Sequence, residues 1–446
     1  MIYFVSNDIF GKEDSYQTAT IEQCLDYFRN HKYSHIAVDT ETEGKDPHIK
    51  KILTVQLGNP DDQWVIDCRS IPISKLKSLL ENNKLILHNS KFDYKFFKTH
   101  GINIEHIYDT FLAELIIYCG YERWGYGLAA LTQRYCNVEL SKQERGSFYK
   151  LTSSLPLTTA QILYASKDVK YLHDIMNQQL EKIIKYDLEY CLNLECEAIK
   201  SLADIELAGM EIDRERWLAN SIEFEAKVKD LYNQLDNIVL NDPVLNPIYK
   251  PTYIQGNLFS FDVRELNINY SSPTQIKQLL EYLGITIEST EDRFLMTVKD
   301  RHKIIPVLRE LRKAEKIVST YGKDFLDSVN IYTGRIHTDF WPILNTGRVS
   351  SSEPNLQNIP KEDRFRNSFI PRKGYKWVSC DYQAQELRLM AEGSGEEGFI
   401  DILNKGEDLH CYVGTMMFRK PITKEDKEAR NKAKTINFGK PYLLAA

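Results

Sequence analysis

Apolar and polar positions follow three rhythms along the chain. From residue 34 to about 110, short apolar runs alternate with stretches of helical period. In "HIAVDTETEG" (35–44) the run Ile36-Ala37-Val38 leads into Asp39 and Glu41, with Thr40 between them. Strand side chains alternate, so both carboxylates fall on one face. "KILTVQLGNPDDQWVIDC" predicts a hairpin turning at Asn59-Pro60-Asp61-Asp62. "KLILHNSKFDYKFF" predicts a short buried strand and then a helix opening near Asn89 or Ser90. Thr158 and Gln161 form a capping box ahead of one long amphipathic run. An all-helical region starts near Tyr186, where Leu188, Cys191, Leu194, Ala198, Leu202 and Ile205 recur at helical spacing and Gly209 supplies a stop. "SSPTQIKQLLEYLG" predicts a helix with Ser272 as N-cap, Pro273 at N1, Gln275 at N3 and Gly284 at its end. From about Ile331 the rhythm turns to strands, Gly-containing turns and mixed segments. The pattern predicts a mixed α/β domain, a helical middle and a third region.

Length and composition narrow this plan. At 446 residues the chain exceeds one ordinary core, so two or three domains are expected. A hydrophobic fraction of 42% and a charged fraction of 27% fit a soluble globular protein. No apolar run approaches the roughly 18 residues of a membrane span, so no membrane partner is expected. The start carries no basic leader ahead of an apolar stretch. The eight cysteines form no C-x-x-C pair, which fits reduced thiols, and a cytoplasmic location is expected. A formal net charge of −6 means that any nucleic-acid contact must use local basic patches.

Two paired carboxylates repel unless something positive lies between them. Downstream, Asn89 and Asp93 stand four residues apart at a helix opening, and Tyr164 and Asp168 stand four apart on one helix face. The order D-x-E, N-x-x-x-D, Y-x-x-x-D resembles the 3′→5′ exonucleases of the DEDDy class, whose fold is RNase H-like. The resemblance implies two metal ions, Mg²⁺ or Mn²⁺, among four carboxylates. Asp39, Glu41 and Asp168 would ligate one ion, Asp39 would bridge to the second, and Asp93 would support that second ion. Tyr164, with Glu41, would orient the attacking water, and Asn89 would contact DNA. Single-stranded DNA 3′ ends are the implied substrate.

A second resemblance lies further on. "NTGRVSSSEPNLQNIP" (345–360) closely resembles a signature of family A DNA polymerases, in which Arg348 matches a primer-strand contact. "WVSCDYQAQELRLMA" resembles motif A of that family, with Gln383, Ala384 and Gln385 departing from its common form. Read from the residues, it is an apolar β run ending in Asp381. The resemblance makes Asp381 a catalytic metal ligand, gives Glu386 a ribose-sensing role and retains Arg388. "GEDLHCYVGTMMF" matches the next segment, including His410. Arg430, Lys434, Phe438 and Tyr442 recur every four residues, the spacing of the nucleotide-binding motif B helix. Pro441 and Leu443 depart from that motif.

The implied architecture is an RNase H-like exonuclease (1–185), a mostly helical thumb (186–330) and an incomplete α+β palm and start of fingers (331–446). Basic residues in "VKDRHKIIPVLRELRKAEKIVSTYGKD" suit sequence-independent phosphate contacts with a primer-template. The expected function is the N-terminal portion of a proofreading DNA-directed DNA polymerase. Binding of dNTP and templated synthesis are expected only when a C-terminal polymerase fragment completes the palm and fingers. Two other readings stand beside it: a dedicated DEDD-type exonuclease, and a catalytically inactive DNA-binding fragment.

Overall fold

A computed structural model describes residues 1–7, 14–30, 33–121, 125–140, 145–148, 151, 155–254 and 263–439. They form two compact units, Met1–Lys373 and Gly374–Ala446. No described helix is long and apolar enough to cross a membrane.

The first unit opens with a seven-stranded mixed sheet. Its strands are β1 (Ile2–Val5), β2 (Gln17–Ala19), β3 (Ile36–Thr42), β4 (Ile52–Gly58), β5 (Gln63–Asp67), β6 (Leu85–Leu87) and β7 (Ile107–Asp109), in the spatial order 2-1-5-4-3-6-7. β3, β4 and β5 run antiparallel at the centre, and β6 and β7 continue parallel from β3. The predicted hairpin is β4–β5. Its turn closes with Asn59 N–H donating to the Asp62 carbonyl (3.0 Å), while the Asn59 side chain accepts from the Asp61 and Asp62 amides (2.9 Å each). Every residue of β4 and β5 is buried, so this hairpin is the spine of the domain.

The helix after β6 spans Ser90–Thr99, with Asn89 at its N-cap position in a left-handed conformation and making no side-chain cap. Its cap comes from elsewhere. Asp109, at the end of β7, accepts from the backbone N–H of Asn89 (3.0 Å) and Ser90 (2.7 Å), and also from Phe111 (2.8 Å) and Leu112 (3.4 Å) at the start of the Thr110–Ile117 helix. One buried carboxylate thus satisfies the opening amides of two helices. Burial nevertheless pushes its pKa up.

The capping box forms as predicted: Thr158 accepts from the Gln161 amide, and Gln161 accepts from the Thr158 amide. The run behind it is not one helix. It divides into Thr159–Lys170 and Leu172–Lys185, because the first half lies against β3, β4 and β5 and the second against the Thr110–Ile117 and Leu128–Cys136 helices. The Glu189–Ala208 helix likewise departs from its predicted stripe. Leu192, Cys196, Ile199, Ala203 and Glu206 are buried, whereas Leu194 and Ile205 are exposed. The inward face is set by the core around the seven-stranded sheet, which Leu192, Cys196, Ile199 and Ala203 join. Gly209 ends the helix at φ 57°, where an added Cβ would stand 2.7 Å from the His337 ring.

Residues 210–373 are built on the long Arg214–Leu240 helix and its antiparallel neighbour Ile304–Tyr321, which share a core around Trp217, Leu235, Leu308 and Leu311. The Pro273–Tyr282 helix is capped by Ser272 as predicted. A two-stranded hairpin, Asp339–Trp341 with Ser350–Ser352, completes the unit.

The second unit is helical, with a small core of Leu387, Ala391, Leu403, Leu409 and Ala433. The predicted β run ahead of Asp381 is absent. Residues 375–380 form no strand and are exposed, Val378 at 82%. A strand needs partners for its backbone groups, and no strand among the described residues pairs with this run.

Two stability outcomes follow. Asp109→Ala strands the buried amides of Ser90, Phe111 and Leu112 and the part-buried amide of Asn89, and should cost about 3 kcal/mol or more in urea unfolding. His173 is buried, donates from Nε2 to the His35 carbonyl (3.1 Å) and has its pKa lowered by burial from an ordinary 6.5. The unfolded chain therefore binds the extra proton, and this group's contribution is lost as pH falls below about 6.5. His173→Leu should flatten the fall in stability between pH 7 and 5, measured by urea midpoints.

Candidate active site

β3 carries Asp39 and Glu41 on one face, half-buried, while Thr40 and Thr42 point the other way and are buried. The Thr159–Lys170 helix crosses this face. It sits close because Gly58, paired with Ala37, has no Cβ: an added Cβ would lie 2.9 Å from Val169 Cγ2 and 3.0 Å from its Cβ. That close approach sets Asp168, one residue before Val169, over the strand. Oxygens of Asp39, Glu41 and Asp168 lie within 4.8 Å of one another.

Asp93 does not join this trio. It is 3% exposed and accepts from the Thr40 hydroxyl (2.6 Å). Burial first, and then the charge of Asp39, push its pKa well above the usual carboxylate range. Tyr164 is half-buried in the same cleft, its ring tilted against Phe148 at 6.1 Å. Asn89 is exposed and lines the cleft mouth.

The donors are hard oxygens clustered in like charge, which is chemistry that fits divalent cations such as Mg²⁺ or Mn²⁺. The cleft, about 490 Å³, is also walled by Phe111, Phe340, Trp341 and Pro342. The sequence reading missed these last three, which are some three hundred residues from β3. It also missed Gln56 and Thr54, paired with Asp39 and Glu41 across the β3–β4 ladder. Gln56 Nε2 donates to the Thr54 hydroxyl (2.6 Å), beside the carboxylates. Strict strand alternation on β4 was the signal available for both.

The 345–360 segment is built on the Asp339–Ser352 hairpin. Its small polar residues are structural as well as superficial: Ser351 is buried, shares a hydrogen bond with Thr338 (2.5 Å) and accepts from the Leu356 amide (2.9 Å). Arg348 closes the hairpin turn, its carbonyl accepting from the Leu344 amide (2.8 Å).

Comparison with known proteins sharpens this picture. The family profile described as DNA polymerase family A matches residues 256–446, and that described as 3'-5' exonuclease matches residues 16–185. The chain joins a region similar to 3'-5' exonucleases to a region similar to DNA polymerase family A. Across 437 residues it is 26% identical to DNA polymerase I of Borreliella burgdorferi, covering 93% of this chain and 45% of that one. DNA polymerase I of Aquifex aeolicus is 28% identical, over 92% of this chain and 69% of the relative. The chain thus spans under half of the first relative's length. A solved structure, the POL domain of Pol1 from M. smegmatis in complex with DNA primer-template and dNTP, shares the fold with a TM-score of 0.75. It is 23% identical and covers 94% of this chain and 70% of that one. The exonuclease domain of family A is metal-dependent, and this chain carries a carboxylate cluster in it.

The family A motif residues of the second unit have their own arrangement. Asp381 and Glu386 are exposed, and Arg388 donates to the carbonyls of Gln383 (3.1 Å) and Leu403 (3.2 Å). His410 is buried against Asn437, its Nδ1 3.0 Å from the amide nitrogen. On the Lys427–Gly439 helix, Arg430 binds the Asp408 carboxylate through Nε (3.0 Å) and Nη2 (2.7 Å). Lys434 lies over the Phe438 ring at 6.0 Å. Tyr442 falls outside the described residues.

Because the helix carrying Asp168 depends on the glycine contact, Gly58→Val should push it off the sheet and open the carboxylate trio. Calorimetric Mn²⁺ titration should show affinity lowered by about tenfold or more.

Proposed function

We propose that this chain removes nucleotides from the 3′ end of single-stranded DNA in a reaction that needs Mg²⁺ or Mn²⁺. The observation that carries this reading is the convergence of Asp39, Glu41 and Asp168, from a strand and a helix distant in sequence, on one point of a deep cleft. Two divalent ions bound there would stabilise the attacking and leaving oxygens of a phosphoryl displacement. Asp39, Glu41 and Asp168 are the residues to hold the ions, with Asp93 behind Asp39. Tyr164 offers its phenolic hydroxyl as a hydrogen bond for orienting water. Asn89, at the mouth, is suited to meet the strand.

Within the family the exonuclease serves proofreading beside a polymerase, and the Asn345–Pro360 signature supports that setting. Residues 1–185 are assigned to the exonuclease, 186–330 to the thumb and 331–446 to palm and fingers. DNA primer-template is the proposed partner, with Arg348 on the primer strand. Asp381, Glu386, His410, Arg430, Lys434, Phe438 and Tyr442 are assigned to nucleotide binding and metal chemistry in the polymerase site. The segment from Asn345 to Phe438 favours this reading over a dedicated exonuclease.

The test is hydrolysis of a 3′-labelled single-stranded oligonucleotide with Mn²⁺. Asp39→Ala should lower the rate by more than about 100-fold, because the loss of a ligand exceeds the effect of losing an outer partner. Tyr164→Phe removes one hydrogen bond and should cost only about tenfold. Undiminished activity in Asp39→Ala would refute the assignment.

A further inference from the structure

Beside the carboxylate cleft lies a buried ionic cluster that joins three parts of the chain. Glu206 is 2% exposed, and both of its oxygens are taken. Oε1 accepts from Lys91 Nζ (2.6 Å) and from the Phe340 amide (2.7 Å), and Oε2 accepts from Lys95 Nζ (2.5 Å). Lys91 Nζ also donates to Asp339 Oδ1 (2.9 Å) and to the Phe340 carbonyl. The two lysines and two carboxylates balance in charge. Lys91 and Lys95 sit on the Ser90–Thr99 helix, which also carries Asp93.

The arrangement grips Phe340 on both sides of its backbone: its N–H goes to Glu206 and its C=O receives Lys91. Phe340, Trp341 and Pro342 form the cleft wall away from the metal-binding strand. Trp341 meets Phe111 edge-on at 5.4 Å, so the wall is seated against the domain it faces. Stability alone is a weak reason for such a cluster, since a buried ion pair usually contributes no more than apolar residues of the same volume. What it supplies is a fixed distance between the wall and the carboxylates.

We propose that Glu206 is a positioning residue for the exonuclease site. Through Lys91 and the Phe340 backbone it sets the wall that holds the strand beyond its terminal nucleotide. The inference rests on the exonuclease reading above. It predicts a division between substrates. A small ester engages only the carboxylate centre and does not need the wall, whereas an oligonucleotide does.

The test compares the full chain with Glu206→Gln and Asp339→Asn. Binding of a fluorescent oligothymidylate is followed by anisotropy with Ca²⁺, and hydrolysis of thymidine 5′-monophosphate p-nitrophenyl ester with Mn²⁺. Glu206→Gln should weaken oligothymidylate binding about tenfold and leave ester hydrolysis within about twofold of the parent. Asp339→Asn removes only the half-exposed partner, so it should fold normally and weaken binding less, about threefold; it carries the test if Glu206→Gln unfolds on heating below the parent. Equal losses on both substrates in a folded variant, or unchanged oligothymidylate binding in both variants, would overturn the proposal. If the parent hydrolyses neither the ester nor the labelled oligonucleotide of the preceding test, the exonuclease reading fails, and the binding comparison still decides whether Glu206 positions the wall.

Discussion

Like-charge repulsion among Asp39, Glu41 and Asp168 is the constraint around which the first unit is organised. Carboxylates within one ion's reach push apart unless a cation or a rigid frame holds them. The frame here is the fully buried β4–β5 hairpin and a helix pressed onto the sheet at Gly58, the β4 residue beside Ala37 of β3. Asp93 feels burial first and then the charge of Asp39. Its carboxyl sits behind Asp39, takes a hydroxyl from Thr40 and still has its proton affinity raised. Binding of divalent ions would relieve that repulsion, so metal affinity and local fold stability are linked at this point.

The parts legible in the sequence were those governed by local rules. Strand alternation put Asp39 and Glu41 together, a turn of Asn and Pro fixed the hairpin, and Ser272 and Thr158 capped their helices as their types require. Features depending on distant partners were not legible. The buried face of the Glu189–Ala208 helix is chosen by the domain it lies on, so its own periodicity pointed to a neighbouring stripe. Asp109 caps a helix that begins nineteen residues earlier in the chain, and nothing near Ser90 announces it. Phe340 and Trp341 reach the cleft only through tertiary packing.

The motif residues of the second unit illustrate the limit from the other direction. Their spacing was plain in the sequence, and the Lys427–Gly439 helix carries Arg430, Lys434 and Phe438 at that spacing. Arg430, however, is engaged by Asp408, which accepts from the first amides of the Leu409–Phe418 helix as well. The guanidinium therefore links two helices, and any anion would have to compete with or share that carboxylate. The run before Asp381 has strand-forming residues, but a strand is a property of two chains of backbone rather than one.

The Glu189–Ala208 helix has a consequence for modularity. By sequence it opens the helical region, yet Leu192, Cys196, Ile199 and Ala203 belong to the apolar core of the domain before it. A chain cut between residues 185 and 189 would leave a bare apolar seam on each piece, and each would tend to aggregate or re-pair. Recombination between related chains that respects physical units would carry this helix with the domain before it, with the seam falling near Gly209, where the backbone already turns.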